Sequence, residues 1–247
     1  MAATDVAARI AKRVVLPVAL LLAGMILLGL LVTKVLNHTW PFTVEDSVNR
    51  ELAADRSGDL NNVSLVFSTL ASTQVIVATT VLVALGLFLW LRRWREPLFL
   101  TAAVATQALV FFLTTLVIDR HRPDVPHMDA SPPTSSFPSG HTSAATALYV
   151  GIALLMAMRA RSTGAKAIWW LLIAVPVGVA LGRMYRGMHH PSDVLASFVN
   201  GTTCVIIMAR SVLDRSVSWG RDRLSGVGKA RRTAAATTTP APATSGS

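Results

Sequence analysis

The sequence predicts an all-α fold: a polytopic membrane helix bundle with six transmembrane helices. Three observations predict it. Hydrophobic residues make up 52% of the chain and charged residues only 15%, against about 25% charged in an average soluble domain. The apolar residues gather in runs near the roughly 20 residues a helix needs to cross the hydrocarbon. The basic residues fall between those runs in short clusters. A net charge of +10 in one patch would point to nucleic acid, but this distribution is a topology signal, so no nucleic-acid partner is expected.

The first run is Val14–Thr33, preceded by Arg9, Lys12 and Arg13. It is longer than a signal-peptide core and no small-residue cleavage site closes it, so it reads as a retained anchor. Further spans are expected at about Leu65–Leu91, Leu98–Ile118, Thr142–Met158, Ala167–Gly182 and Val194–Leu213. The fourth and fifth are short and carry Gly or Pro, which suits packing on protein rather than lipid. A weakly patterned segment, Val44–Ala54, is expected as a short helix on the outer surface. The domain reading is residues 1–13 as a cytoplasmic N-terminus, 14–215 as the six-span unit, and 216–247 as a basic, disordered cytoplasmic tail. The single cysteine, Cys204, excludes an intrachain disulfide and reads as a packing residue.

Lys and Arg placement gives the orientation. Arg9, Lys12 and Arg13, then Arg92, Arg93 and Arg95, then Arg159, Arg161 and Lys166, then a tail from Arg210 to Arg232, form one set. That set is expected in the cytoplasm, with both termini. The opposite loops are Leu36–Asn62, which is acidic, Asp119–Gly140 and Arg183–Pro191. All six histidines fall in these outer segments or at outer helix ends. The protein is therefore expected in a bacterial plasma membrane with its polar site facing outside.

Three outer segments carry chemistry: Arg120-His121-Arg122-Pro123, Pro138-Ser139-Gly140-His141, and Arg183 through His189 to Asp193. Arg122 and Arg183 are planar cations that bind phosphoryl oxygens in pairs. Pro138–His141 opens a helix whose free backbone N–H groups favour an anion, with Gly140 permitting close approach. The Ser139 hydroxyl either caps that helix or donates to a phosphate oxygen. His189 and Asp193 are four residues apart, so the carboxylate can fix the imidazole tautomer and leave the other nitrogen nucleophilic. His141 is placed to protonate a leaving oxygen. Taken alone, each motif reads as a helix cap or a headgroup anchor. Together, on one face, they describe phosphoryl transfer through a phosphohistidine. No His-x-x-x-His or Cys spacing is present and the arginines would repel a cation, so neither metal nor cofactor is expected.

These segments closely resemble the signature of the type 2 phosphatidic acid phosphatase superfamily: Lys-x6-Arg-Pro, then Pro-Ser-Gly-His, then Ser-Arg-x5-His-x3-Asp. Pro138–His141 is intact, Arg183, His189 and Asp193 hold their spacing, and Arg122-Pro123 remain of the first part. The resemblance implies an α-helical bundle and metal-independent chemistry. It implies His189 as nucleophile, His141 as acid and Asp193 as the partner of His189, with Arg122, Arg183, Ser139 and Gly140 holding phosphate. Two positions depart. Thr115 stands where the family has lysine, and Gly182 where it has serine. Arg120 is a candidate replacement for the lost charge, and Arg186 a candidate for holding a second phosphate or an acidic headgroup.

The expected activity is hydrolysis of a lipid phosphate at the outer leaflet, with membrane lipids as surroundings and oligomeric state unread. Polyprenyl diphosphate leads as substrate, followed by phosphatidate, phosphatidylglycerol phosphate or a sugar-linked polyprenyl phosphate. Two alternatives stay open: a phosphotransferase with an acceptor other than water, and a non-catalytic protein that binds or translocates lipid phosphates. A soluble haloperoxidase of the same superfamily does not suit so apolar a chain.

Overall fold

A computed structural model describes residues 3–130 and 134–214. The expected tail, 216–247, lies outside the described residues. Among these residues the chain is helical, with no strand. Six helices are long and apolar enough to cross a membrane. They are α1 (Ala7–Val35), α4 (Thr73–Leu91), α5 (Arg95–Val117), α6 (Gly140–Ala157), α7 (Thr163–Tyr185) and α8 (Pro191–Leu213). Between α1 and α4 lie two shorter helices, α2 (Glu45–Ala54) and α3 (Gly58–Leu70). The expected first segment, 1–13, is helical from Ala3 and continuous with α1.

Helix boundaries follow from capping chemistry. Ser57, Ser72, Ser139 and Ser162 each precede a helix in extended conformation, and each hydroxyl accepts an N–H of the first turn. The Ser72 cap corrects one expectation. The apolar stretch Leu65–Leu91 is not one span: α3 ends at Leu70 and α4 begins at Thr73. Hydropathy over this stretch has no break, but the hydroxyl side chain at Ser72 competes with the backbone and restarts the helix. In α7, Pro176 cannot supply the N–H that Leu172 would need, and the helix tightens over Leu171–Ile173. α8 opens with Pro191 at its first position, and Asp193 accepts the His190 N–H at 2.8 Å.

α6 and α8 form the centre. Their most apolar windows are 56% and 61% buried, against 17–28% for the other spans. Gly201 on α8 permits their approach, since a Cβ there would lie 2.6 Å from Thr146 Cβ and 2.8 Å from the Ser143 carbonyl. Phe99, Leu100, Leu148, Leu155 and Val205 fill the core around this contact. α3 lies against the C-terminal half of α7. The three motif-bearing segments meet where α6 and α8 begin.

Candidate active site

α6 begins at Gly140, and its cap Ser139 is fully buried. The Ser139 hydroxyl accepts the Thr142 N–H at 3.4 Å and lies 3.1 Å from the Thr142 hydroxyl. Of the two roles open to it, the structure gives Ser139 the cap. Gly140 does line the cavity described below, and a Cβ there would sit 2.9 Å from the Phe111 ring. The turn from α7 to α8 is held by Gly187, whose φ of +75° suits glycine. That turn presents His189 toward α6.

His189 is 4% exposed. Its Nδ1 lies 2.8 Å from the Ser136 carbonyl oxygen and 3.8 Å from Asp193 Oδ2. A carbonyl only accepts, so Nδ1 carries the proton and Nε2 keeps its lone pair. The tautomer is thus set mainly by a backbone group, with the Asp193 carboxylate acting from a longer distance. Burial lowers the His189 pKa; the Asp193 contact opposes this, and the charges of Arg183 and Arg122 add to it. The ring is therefore neutral at physiological pH.

His189 shares a cavity of about 530 Å³ with His141, Arg122, Arg183 and Asp129. Arg122 Nη1 donates to the Met188 carbonyl at 2.8 Å. The Nε atoms of Arg122 and Arg183 are buried without a hydrogen-bond partner. A buried donor left unpaired costs about 1–3 kcal/mol, so each guanidinium carries one unsatisfied donor. Burial lowers the Arg122 pKa and the charge of Asp193 opposes this. The other end of the cavity is apolar, lined by Ile76, Val77, Val104, Ala108 and Phe111. Val77 is 55% exposed, so this wall reaches the lipid-facing side of the bundle.

Two candidate residues sit elsewhere than the sequence reading placed them. Arg120 is not on the cavity wall. Its Nη1 donates to Asp193 Oδ1 at 2.5 Å and to Ser192 at 2.7 Å, and its Nη2 to Glu45 Oε2 at 2.6 Å. It does not replace the missing lysine. Thr115 is also off the cavity lining; its hydroxyl donates to the Phe112 carbonyl at 2.7 Å. Arg186 is 5% exposed and is bound to Asp129 through Nε at 2.9 Å and Nη2 at 2.5 Å. Asp129 also accepts from Arg183 Nη1 at 2.5 Å. Burial pushes the Asp129 carboxyl up, but the Arg186 hydrogen bond and the two arginine charges outweigh it and hold the carboxyl below its ordinary range.

Several residues joined to the site were missed. Glu45 is 6% exposed and accepts the Ser192 N–H at 2.7 Å as well as the Arg120 bond. Asn49, one turn along α2, donates to the carbonyls of His189 at 3.1 Å and Met184 at 3.2 Å. Asp46 contacts His190 Nε2 at 3.2 Å. The signal for these was two acids and an amide in Val44–Ala54, which was expected as a short surface helix and is one, but with no role at the site. Ser136, whose contribution is a carbonyl, had no side-chain signal. Among the described residues no group of three or more His, Cys, Asp or Glu could hold a metal ion.

Comparison with known proteins places this geometry. Residues 118–216 match the family model of the PAP2 superfamily. The chain is 27% identical over 188 residues to phosphatidylglycerophosphatase B of Bacillus subtilis, covering 75% of this chain and 89% of that protein. It is 33% identical over 146 residues to decaprenylphosphoryl-5-phosphoribose phosphatase of Mycobacterium tuberculosis, covering 58% of this chain and 73% of that protein. The crystal structure of a transmembrane PAP2-type phosphatidylglycerolphosphate phosphatase from Bacillus subtilis superposes with a TM-score of 0.69 at 23% identity, covering 83% and 98% of the two chains. Aquifex aeolicus LpxE superposes with a TM-score of 0.53 at 22% identity, covering 69% and 97%. The chain belongs to the PAP2 superfamily, and it is a membrane-embedded phosphoric ester hydrolase.

Proposed function

We propose that this protein hydrolyses a lipid phosphomonoester at the outer face of the plasma membrane through a phosphohistidine on His189. One observation carries the reading: two histidines and two arginines, each arginine with a buried Nε that has no partner, line one cavity whose far wall is apolar. The polar end suits a phosphoryl group and the apolar wall suits the tail of an amphiphile.

In the first step His189 Nε2 attacks phosphorus and the bond from phosphorus to the lipid oxygen breaks. His141 gives its proton to that oxygen, which leaves as the alcohol. The phosphoryl group is then on Nε2, with its oxygens against Arg122 and Arg183. In the second step a water attacks phosphorus, His141 takes the water's proton, the P–N bond breaks and inorganic phosphate leaves. The arginines act by stabilising charge that spreads over the phosphoryl oxygens in the transition state. Asp193 and the Ser136 carbonyl keep the ring oriented.

Both named relatives, by their names, remove a phosphate carried on a polyol headgroup of a lipid. That favours a phosphomonoester over the polyprenyl diphosphate that led on sequence grounds. The cationic set at the opposite face, from Arg9 to Arg13 and at Arg92, Arg93, Arg95 and Arg159, supports an outward-facing site. The test is phosphate release from a panel of lipid phosphates by the purified chain with chelator present. Release that continues with chelator and falls at least about 10³-fold in His189→Ala supports the reading. Activity that stops with chelator, or survives in His189→Ala, overturns it.

A further inference from the structure

We infer that Asp129 sets the charge of the phosphoryl site, so that the site selects lipid phosphomonoesters over lipid diphosphates; this rests on the phosphate reading of the cavity given above. Asp129 lies in the connection between α5 and α6 and lines the cavity beside His189, Arg122 and Arg183. Its position is fixed from two sides. The neighbouring Met128 N–H donates to the Arg186 carbonyl at 3.1 Å, and Arg186 Nη2 donates back to the Met128 carbonyl at 3.3 Å. Its carboxylate is gripped by Arg186 through two nitrogens and by Arg183 through one. Ser68 donates to it as well, at 3.4 Å.

A paired grip by arginines is how a phosphoryl group is held, and here a side chain of the protein occupies part of it. Arg183, which lines the cavity, has a buried Nε without a partner. The charge left over decides what can bind. Arg122, Arg183, Arg186 and His141, which carries the proton it delivers, bring four positive charges, and Asp129 removes one. His189 is neutral by burial. Arg120 is bound by two carboxylates, Asp193 and Glu45, so that cluster removes one more charge and leaves two. Thr115 supplies no charge where the family pattern has lysine.

A phosphomonoester carries about −1.5 to −2 at neutral pH, which two positive charges match. A lipid diphosphate carries roughly one charge more, and its second phosphoryl group would share the cavity with the Asp129 carboxylate. Like-charge juxtaposition in a partly buried site is an ordinary means of rejecting a competitor. Arg186 is then not a ligand for a second phosphate. It holds Asp129 in place and shares that carboxylate with Arg183.

The test compares one polyprenol as its monophosphate and its diphosphate, using the full chain and the variants Asp129→Asn and Asp129→Glu. Phosphate and pyrophosphate are titrated in parallel as stabilisers against thermal unfolding, a reading that needs no turnover. The wild type should prefer the monophosphate. Asp129→Asn should raise the diphosphate-to-monophosphate ratio of kcat/KM about tenfold and tighten pyrophosphate relative to phosphate. Asp129→Glu keeps the charge and should keep the wild-type ratios. Ratios unchanged in Asp129→Asn, or moved as far by Glu as by Asn, overturn the inference. If neither anion stabilises the wild type, the phosphate reading itself fails and takes the inference with it.

Discussion

His189 donates from Nδ1 to a backbone carbonyl, and this fixes how the site responds to pH. In the proposed mechanism the attacking form is the neutral ring. Burial lowers the His189 pKa, with the Asp193 carboxylate 3.8 Å away opposing the shift. A lowered pKa means the neutral form persists as pH falls below the ordinary imidazole value of about 6.5. The acid limb of kcat/KM should therefore lie below 6.5. In Asp193→Asn, where the opposing charge is gone, the limb should move lower still while kcat falls. A limb at or above 6.5 in the wild type contradicts the neutral, buried nucleophile. Asp129 has a linked effect on stability. Its carboxyl is held below the ordinary range in the folded state, so its contribution is full above the unfolded value near 3.9 and is lost as pH falls through the lowered one. At this scale the gathering of His189, His141, Arg122 and Arg183 about one cavity, with Asp193 beside His189, was legible because fixed spacings carry these residues. Ser136, Asp129 and Glu45 were not, since their partners lie 53, 54 and 147 residues away in the chain.

The short helix α2 is the element that most exceeded its sequence signal. Glu45, Asp46 and Asn49 all reach the segment between Met184 and Asp193. Glu45 also closes a chain from Ser192 through Arg120 to the Asp193 carboxylate. α2 thus holds the His189 segment in place, and Glu45, Asp46 and Asn49 do not line the cavity. Breaking a buried ion pair from one side costs about 3–5 kcal/mol, and a small displacement of a catalytic group can cost roughly 100-fold in rate. Glu45→Ala should lower the unfolding temperature and reduce kcat about 10- to 100-fold, with KM little changed. Glu45→Gln, which still accepts from Ser192, should recover part of both losses. Thermal unfolding and steady-state kinetics on the two variants check this; a loss seen only in KM would instead put Glu45 in substrate contact. The hydropathy of Val44–Ala54 carried little of this role, because α2 is held by polar bonds rather than an apolar stripe. The break between α3 and α4 was hidden for the converse reason: apolar residues continue through it, and only the Ser72 hydroxyl marks it.

The whole molecule is a bundle whose two most buried spans, α6 and α8, bring separate motifs to one face. The six spans were legible because lipid demands long apolar helices, and the site because its three segments share one end of them. Orientation can be read with cysteine labelling, since the single native cysteine, Cys204, is fully buried. In a Cys204→Ala background, Asp124→Cys should react with a membrane-impermeant maleimide on intact cells and Arg161→Cys should not. The reverse pattern would place the site inside. The central claim, covalent catalysis by His189, is tested most directly by rapid quench with a lipid phosphate labelled at phosphorus. The expected result is a label bound to the protein, stable to alkali and labile to acid, mapping to the peptide that holds His189 and absent in His189→Ala. Turnover with no label on the protein, or a label on another residue, would contradict it.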